Sequence, residues 1–318
     1  MTRIGTLDVL PICLGGNVFG WTADEPTTFG VLDAFTEGGG SFVDTSDSYF
    51  QSAPGDVGGE SEALIGGWLQ ARGPQARERL TIATKVGKWQ RRLGLARSNV
   101  RAALDDSRRR LGIDVVDLYY AHEDDPSQGI EDIVATFDEL VREGSVRNYG
   151  LSNFSLERFT AALEVAKDDG YAVPAALQPD YSLVHRGEVE ATGLGDAAVE
   201  HGVALVPYYA LASGFLTGKY RRGEPTSGAR APRVTAYLTD EGFAVLDALT
   251  AVASEVGAEP ASVAIAWLRY QPGVAAPIAS ASRAEQVPAL LDSARVQLAP
   301  EQVDRLTKAS EPFVAAGR

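Results

Sequence analysis

Asp44 and Tyr49, five residues apart, followed by Lys85 and His122, are the side chains with the most chemistry to offer in this 318-residue chain. A carbonyl becomes an alcohol when a hydride reaches its carbon and a proton reaches its oxygen. Tyrosine can give that proton if its pKa, roughly 10 when unperturbed, is lowered. Lys85 would lower it electrostatically, Asp44 would hold Lys85 charged and oriented, and His122 would hydrogen-bond the substrate oxygen. Tyr49 is then the general acid. Each residue alone has an ordinary explanation: a strand-end cap for Asp44, a surface lysine for Lys85, a satisfied structural histidine for His122. Only their joint placement argues for chemistry.

That placement comes from the elements between them. Short apolar or β-branched runs at Ile12–Leu14, Phe42–Asp44, Leu80–Lys85, Val115–Tyr120, Val146–Leu151, Ala175–Gln178, Val203–Pro207 and Val274–Ile278 read as strands. Between them Ser61–Ala71, Val100–Leu111, Ile130–Arg142 and Leu156–Ala166 carry apolar residues three or four apart and read as one-sided helices. Ser98 and Ser155 stand where N-caps would. Eight βα repeats predict an α/β fold, a (β/α)8 TIM barrel, with Arg3–Ile4 and Asp8–Val9 forming an N-terminal β-hairpin around Gly5. No linker separates a second domain, so 1–318 is expected to be one barrel domain. Asp44, Lys85, His122, Asn153, Gln178 and Tyr208 all fall at or just past the C-terminal ends of strands, which share one mouth in a barrel.

The same residues resemble a known family. FVDTSDSY at 42–49, ATK at 83–85 and YAH at 120–122 are similar to the three tetrad segments of the aldo-keto reductases, with the spacing of Asp44 and Tyr49 and the order of Lys85 and His122 preserved. Resemblance runs from GTLDVLPICLGGNVFGW near the start to PIASASRAEQV near the end, across nearly the whole chain. It implies a catalytic tetrad of Asp44, Tyr49, Lys85 and His122 and an NADP cofactor, with NADPH favoured over NADH. Asp44, Ser152, Asn153 and Gln178 would meet the nicotinamide, and Tyr208 would stack on it. Leu211, Ala212, Gly214 and Lys219 would follow the pyrophosphate. Ser280, Ser282, Arg283 and Gln286 would hold the adenosine end, Arg283 being suited to a 2′-phosphate. Two departures stand out: Ala289 and Leu290 replace common acidic and amide residues, and Ser280 replaces a common glycine.

Composition narrows the partners. With 29 basic and 43 acidic side chains the formal net charge is −14, which repels nucleic acid and anionic membranes. No export signal or membrane-spanning run is visible, and the lone Cys13 suggests no oxidising compartment, so cytoplasmic residence is the default. Arg221–Arg233, rich in Gly, Pro and Arg, reads as a mobile loop: either a lid on the cofactor side or plain solvent loop. Trp21 and Trp89 follow the first and third barrel strands and would wall a carbonyl substrate, together with Tyr49 and His122, or else pack the rim. Trp68 and Trp267 read as core. The run His122–Asp125 raises a metal-dependent hydrolase, but it lacks spaced ligand partners, and no metal is expected. Ser152 with His122 and Asp44 raises a serine hydrolase, but no glycine-flanked serine turn is present. The family resemblance also reaches potassium-channel β-subunits, so a cofactor-binding interaction module is the alternative to an enzyme. No sequence feature separates an assembly surface from ordinary packing of barrel helices.

Overall fold

Gly5, at a φ of +55°, turns the chain between β1 (Thr2–Ile4) and β2 (Leu7–Val9), which pair antiparallel as the expected hairpin. The turn seats against Asn148, whose Oδ1 accepts from the Thr6 N–H at 3.1 Å, and any Cβ on Gly5 would meet that oxygen at 2.3 Å. The hairpin's buried Ile4, Leu7 and Val9 join an inner apolar cluster with Cys13, Phe42, Leu118 and Ala176.

The computed structural model describes residues 1–49, 58–224 and 231–315. After the hairpin come β3 (Cys13–Gly15), β4 (Phe42–Asp44), β5 (Thr81–Val86), β6 (Lys88–Trp89), β7 (Arg92–Leu93), β8 (Val116–Ala121), β9 (Val146–Ser152), β10 (Ala176–Gln178), β11 (Ala204–Leu205) and β12 (Ile278–Ala279). Eight of these form one parallel sheet in the order β11-β10-β9-β8-β5-β4-β3-β12. Its ends meet: Leu205 bridges Val274 in parallel, Ala275 N–H donates to Leu205 O at 2.8 Å, and Ile278 N–H donates to Pro207 O at 2.7 Å. The result is an α/β fold with a curled eight-stranded parallel sheet, consistent with a (β/α)8 barrel. Helices such as Glu25–Glu37, Glu60–Arg72, Arg97–Leu111, Ile130–Arg142 and Leu156–Asp168 follow successive strands and bury a face in a second, outer cluster that includes Trp68 and Trp267.

Strand periodicity explains why polar side chains gather at one end. Alternate residues point inward, and six inward positions are Phe42, Ala83, Tyr120, Ala176, Val206 and Ile278, all in the inner cluster. Two residues further along each strand stand Asp44, Lys85, His122, Gln178, Tyr208 and Ser280. The pleat that fills the barrel with apolar groups therefore carries six polar groups, from six of its eight strands, to its mouth.

Details differ from the sequence reading. Several strands end one residue later than expected, because pairing runs one step further: Val86 is matched with Ala121, Ser152 with Gln178 and Gly15 with Asp44. The hairpin β6–β7 was not foreseen. Ser155 is the expected cap, its Oγ accepting from the Arg158 N–H at 3.2 Å. Ser98 is not a cap: the helix starts at Arg97, and the Ala96 carbonyl takes the Asn99 and Val100 N–H groups. Within the expected loop 221–233, residues 225–230 lie outside the described residues and Ala231–Val234 is a short helix. Among the described residues no helix is long and apolar enough to cross a membrane.

Candidate active site

Lys85 is fully buried, and its Nζ spends its three hydrogens on Asp44 Oδ2 at 2.5 Å, Tyr49 Oη at 2.7 Å and Thr45 O at 2.8 Å. Tyr49 Oη in turn donates to Asp44 Oδ2 at 2.8 Å. The other carboxylate oxygen, Oδ1, accepts from Gln178 Nε2 at 3.1 Å, so Asp44 is held from both sides. His122 completes the group: its ring meets the Tyr49 ring edge-on, with centroids 5.9 Å apart. The four residues expected to act together are thus together.

Their electrostatics differ in one respect from the expectation. Burial first, and then the adjacent Asp44 carboxylate, raise the Tyr49 phenol well above its ordinary value, where a lowering by Lys85 was anticipated. Removing a phenol from water penalises its anion, and a carboxylate hydrogen-bonded to it adds to that penalty. Tyr49 therefore rests protonated, as a proton donor must. Lys85 still donates to the Tyr49 oxygen, where negative charge would appear as the proton leaves. Burial pulls the Lys85 ammonium down while Asp44 opposes that shift. His122 is held well below its ordinary value by burial, then by Lys85 and Lys88, so its imidazole is neutral.

Next to this group the mouth continues as an arc. Ser152 Oγ donates to Gln178 O at 2.8 Å; Asn153 Nδ2 donates to His122 O at 2.8 Å and to Ser152 Oγ at 3.0 Å; Tyr208 Oη donates to Asn153 Oδ1 at 2.8 Å. All four described non-glycine residues with positive φ belong to this arc: Asn153, Tyr209, Ala212 and Ser213. Such backbone costs about 1–3 kcal/mol per residue and gathers where ligands are gripped. Gly214 follows at a φ of +94°, and the Lys219 Nζ lies 3.8 Å from where a Cβ on Gly214 would stand. Leu211 opens this turn, its carbonyl accepting from the Gly214 N–H at 2.8 Å. Across the sheet seam, Ser282 N–H donates to Gln286 Oε1 at 2.8 Å, and Arg283 stands exposed beside it. Ser280 donates to Asn17 Oδ1 at 2.6 Å, a partner that sequence reasoning missed.

An aldo/keto reductase family model matches residues 11–311. The chain belongs to the aldo/keto reductase family. Protein tas of Escherichia coli (strain K12) is 30% identical over 322 residues, covering 92% of both chains. L-glyceraldehyde 3-phosphate reductase of the same organism is 31% identical over 241 residues, 72% of this chain and 69% of its own. A probable voltage-gated potassium channel subunit beta of Oryza sativa subsp. japonica is 28% identical over 299 residues, 91% of this chain and 88% of its own.

In this aldo/keto reductase the acidic run after His122 is dispersed. Glu123 pairs with Lys88, Asp124 with Arg158, and Asp125 accepts from Leu95 N and Ser127. Among the described residues no group of three or more His, Cys, Asp or Glu is placed to hold a metal. Trp89 lies on the rim in β6, against Gly58 and beneath the Arg92 guanidinium; Trp21, half-buried, follows β3. Ser46, Asp47 and Ser48, between Asp44 and Tyr49, are given no role by the sequence reading. They are buried, and both serine hydroxyls reach His122 Nδ1, at 3.1 and 3.3 Å. The one available signal was the density of hydroxyl and carboxylate groups in TSDS.

Proposed function

We propose that this protein reduces an aldehyde or ketone to an alcohol with NADPH, Tyr49 acting as general acid. The observation that carries the reading is Lys85 Nζ, buried and donating at once to Asp44 Oδ2 and Tyr49 Oη. When bound, the reduced nicotinamide supplies hydride to the carbonyl carbon. The chain's own residues handle the proton: Tyr49 passes it to the carbonyl oxygen, Lys85 stabilises the phenolate left behind, and neutral His122 donates a hydrogen bond to the same oxygen. Buried Asp44 offsets the Lys85 charge, which otherwise would shed its proton.

Ser152, Asn153, Gln178 and Tyr208 would hold the nicotinamide, Leu211, Ala212, Gly214 and Lys219 the pyrophosphate, and Ser280, Ser282, Arg283 and Gln286 the adenosine end. The left-handed turn at Ala212–Gly214 and the Lys219 ammonium above it suit an anionic group. Trp21 and Trp89 would wall the substrate. At the described flanks of the segment 221–233, Arg222 bonds Asp240 and Asp247 and Arg233 bonds Tyr209 Oη. The domain is one barrel over 1–318, and residence is cytoplasmic.

The test is consumption of NADPH, beside NADH, across aromatic aldehydes, short ketones and sugar carbonyls, with Tyr49→Phe as control. Turnover with NADPH, lost by a factor of about 100 or more in Tyr49→Phe while cofactor binding persists, supports the reading; undiminished turnover removes Tyr49 from its role. The potassium-channel β relative favours a second reading, a cofactor-binding interaction module. Tight nicotinamide binding, a stable protein partner and no turnover on any carbonyl would select it.

A further inference from the structure

From His122 Nδ1 runs a buried hydrogen-bonded chain that the reductase reading does not use. His122 Nδ1 lies 3.1 Å from Ser46 Oγ and 3.3 Å from Ser48 Oγ, and these two hydroxyls are 3.0 Å from each other. Ser46 Oγ lies 3.3 Å from Asp47 Oδ1 and accepts from the Ser48 N–H at 3.1 Å. Ser46 and Asp47 are essentially without solvent contact, and Asp47 Oδ2 is a buried oxygen with no hydrogen-bond partner among the described residues. Every member between the imidazole and the carboxyl can either give or take a hydrogen.

We propose that Asp47 is a positioning residue that sets, through Ser46 and Ser48, which ring nitrogen of His122 carries the proton. A carboxylate at the end of a hydroxyl chain draws every donor toward itself, because a charge-assisted hydrogen bond is roughly twice as strong as a neutral one. Ionised Asp47 thus takes the Ser46 hydrogen. The serine oxygens then accept from Nδ1–H, and Nε2 is bare. Protonated Asp47 reverses the chain: its O–H donates to Ser46, the serine hydroxyls donate to Nδ1, and Nε2 carries the hydrogen. The two states differ by one proton. It enters at Nε2, the Nδ1 proton moves to the serines, and a serine proton moves to Asp47, so the imidazole stays neutral throughout.

The groups around Asp47 allow that change near neutrality. Burial and the Glu62 carboxylate of the helix Glu60–Arg72 push it up to about 7, opposed by Arg110 of the helix Arg97–Leu111, by the Ser46 hydroxyl and by Arg92 of β7. Lys85 of β5 and Tyr119 of β8 also feel its charge. The substrate-facing consequence rests on the reductase reading above: Nε2–H donates to a carbonyl oxygen in reduction, and bare Nε2 accepts from an alcohol hydroxyl in oxidation. The tautomer itself does not depend on that reading.

The experiment is nitrogen NMR of protein labelled with 15N-histidine, on the acid and alkaline sides of pH 7. The chain has three histidines, His122, His185 and His201, and His122→Gln identifies the signal of interest. The expected result is a neutral His122 that moves its hydrogen from Nε2 to Nδ1 as pH rises. In Asp47→Asn, whose neutral amide can donate to Ser46, the hydrogen stays on Nε2 at both pH values; Ser46→Ala also abolishes the switch. One unchanging tautomer in the unmodified protein, or a normal switch in Asp47→Asn, overturns the inference, and the unmodified protein alone suffices for the first. Where carbonyl turnover is found, its kcat/KM should fall by about tenfold per pH unit above the transition and flatten in Asp47→Asn. A tautomer switch without turnover supports the inference while removing the reductase reading.

Discussion

Replacing Asp47 by asparagine should make the protein's stability less dependent on pH, by an amount the structure sets. Asp47 is 1% exposed and titrates at about 7 in the fold, against 3.8 for an ordinary carboxyl. Between these values the folded protein holds a proton the unfolded chain has released. Stability therefore falls as pH rises through that window and levels off above 7. From pH 5 to pH 8 the group titrates across roughly two units, and at 1.36 kcal/mol per unit it costs the native protein about 2–3 kcal/mol that asparagine does not. The assay is urea unfolding of both proteins at the two pH values, followed by fluorescence and circular dichroism, whose coincidence justifies two-state treatment. Asp180 is also raised to about 7, but it is present in both proteins and cancels in the double difference. A double difference below about 0.5 kcal/mol, or of opposite sign, would refute the claim that Asp47 is buried as a neutral acid.

Lys85→Met leaves the Asp44 carboxylate buried without its cation, which should destabilise the fold by about 3–5 kcal/mol in denaturant titration; a loss under about 1 kcal/mol would show that the pair is not desolvated. Gly66→Ala should cost about 1–3 kcal/mol, because the new Cβ would stand 2.0 Å from the Arg110 carbonyl oxygen where two helices touch. The neighbouring Gly67→Ala meets only Phe29 at 3.6 Å and should be neutral or stabilising by up to about 1 kcal/mol; equal effects at the two sites would contradict the close approach. Arg283→Ala should raise the KM for NADPH about tenfold or more, the worth of a lost charge-assisted hydrogen bond, while leaving that for NADH unchanged. Parallel changes with both cofactors would remove Arg283 from a 2′-phosphate role.

What was legible in the sequence follows from period-two geometry. Phe42, Ala83, Tyr120, Ala176, Val206 and Ile278 line the inner cluster, so residues two positions later had to emerge together at one end. Six strand ends could be placed to within a residue or two because a polar residue, Asp44, Lys85, His122, Asn153, Gln178 or Tyr208, stands at or just past the apolar run. Asp47 was not legible because its meaning lies in burial. In sequence it is one acidic residue in a loop after a strand, and only the packing of β5, β7 and the helices Glu60–Arg72 and Arg97–Leu111 around it removes the water that would keep it ionised. The direction of the Tyr49 shift was misread for the same reason. Spacing brings Lys85 to the phenol, but it does not reveal that loss of water contact and the Asp44 carboxylate set the direction of the shift. The hairpin Lys88–Leu93, made of two-residue strands, leaves no periodic trace to find.

These protonation states fit together as one device. Under the proposed reading Tyr49 must hold its proton at rest and lose it cheaply during reaction, and different groups would supply those two properties. Burial and Asp44 keep Tyr49 protonated, whereas the Lys85 hydrogen bond to its oxygen comes into force only as the phenolate forms. His122 is held neutral by burial and by the cations Lys85 and Lys88, so it can offer its hydrogen to a substrate oxygen without adding charge. Neither residue then titrates near neutrality, since Tyr49 is raised away from that range and His122 lowered away from it. A break in the pH profile of carbonyl reduction near 7 would consequently belong to another group; of those raised into or above that range, Asp47, Asp180 and His185, Asp47 is the one joined to the His122 imidazole by hydrogen bonds.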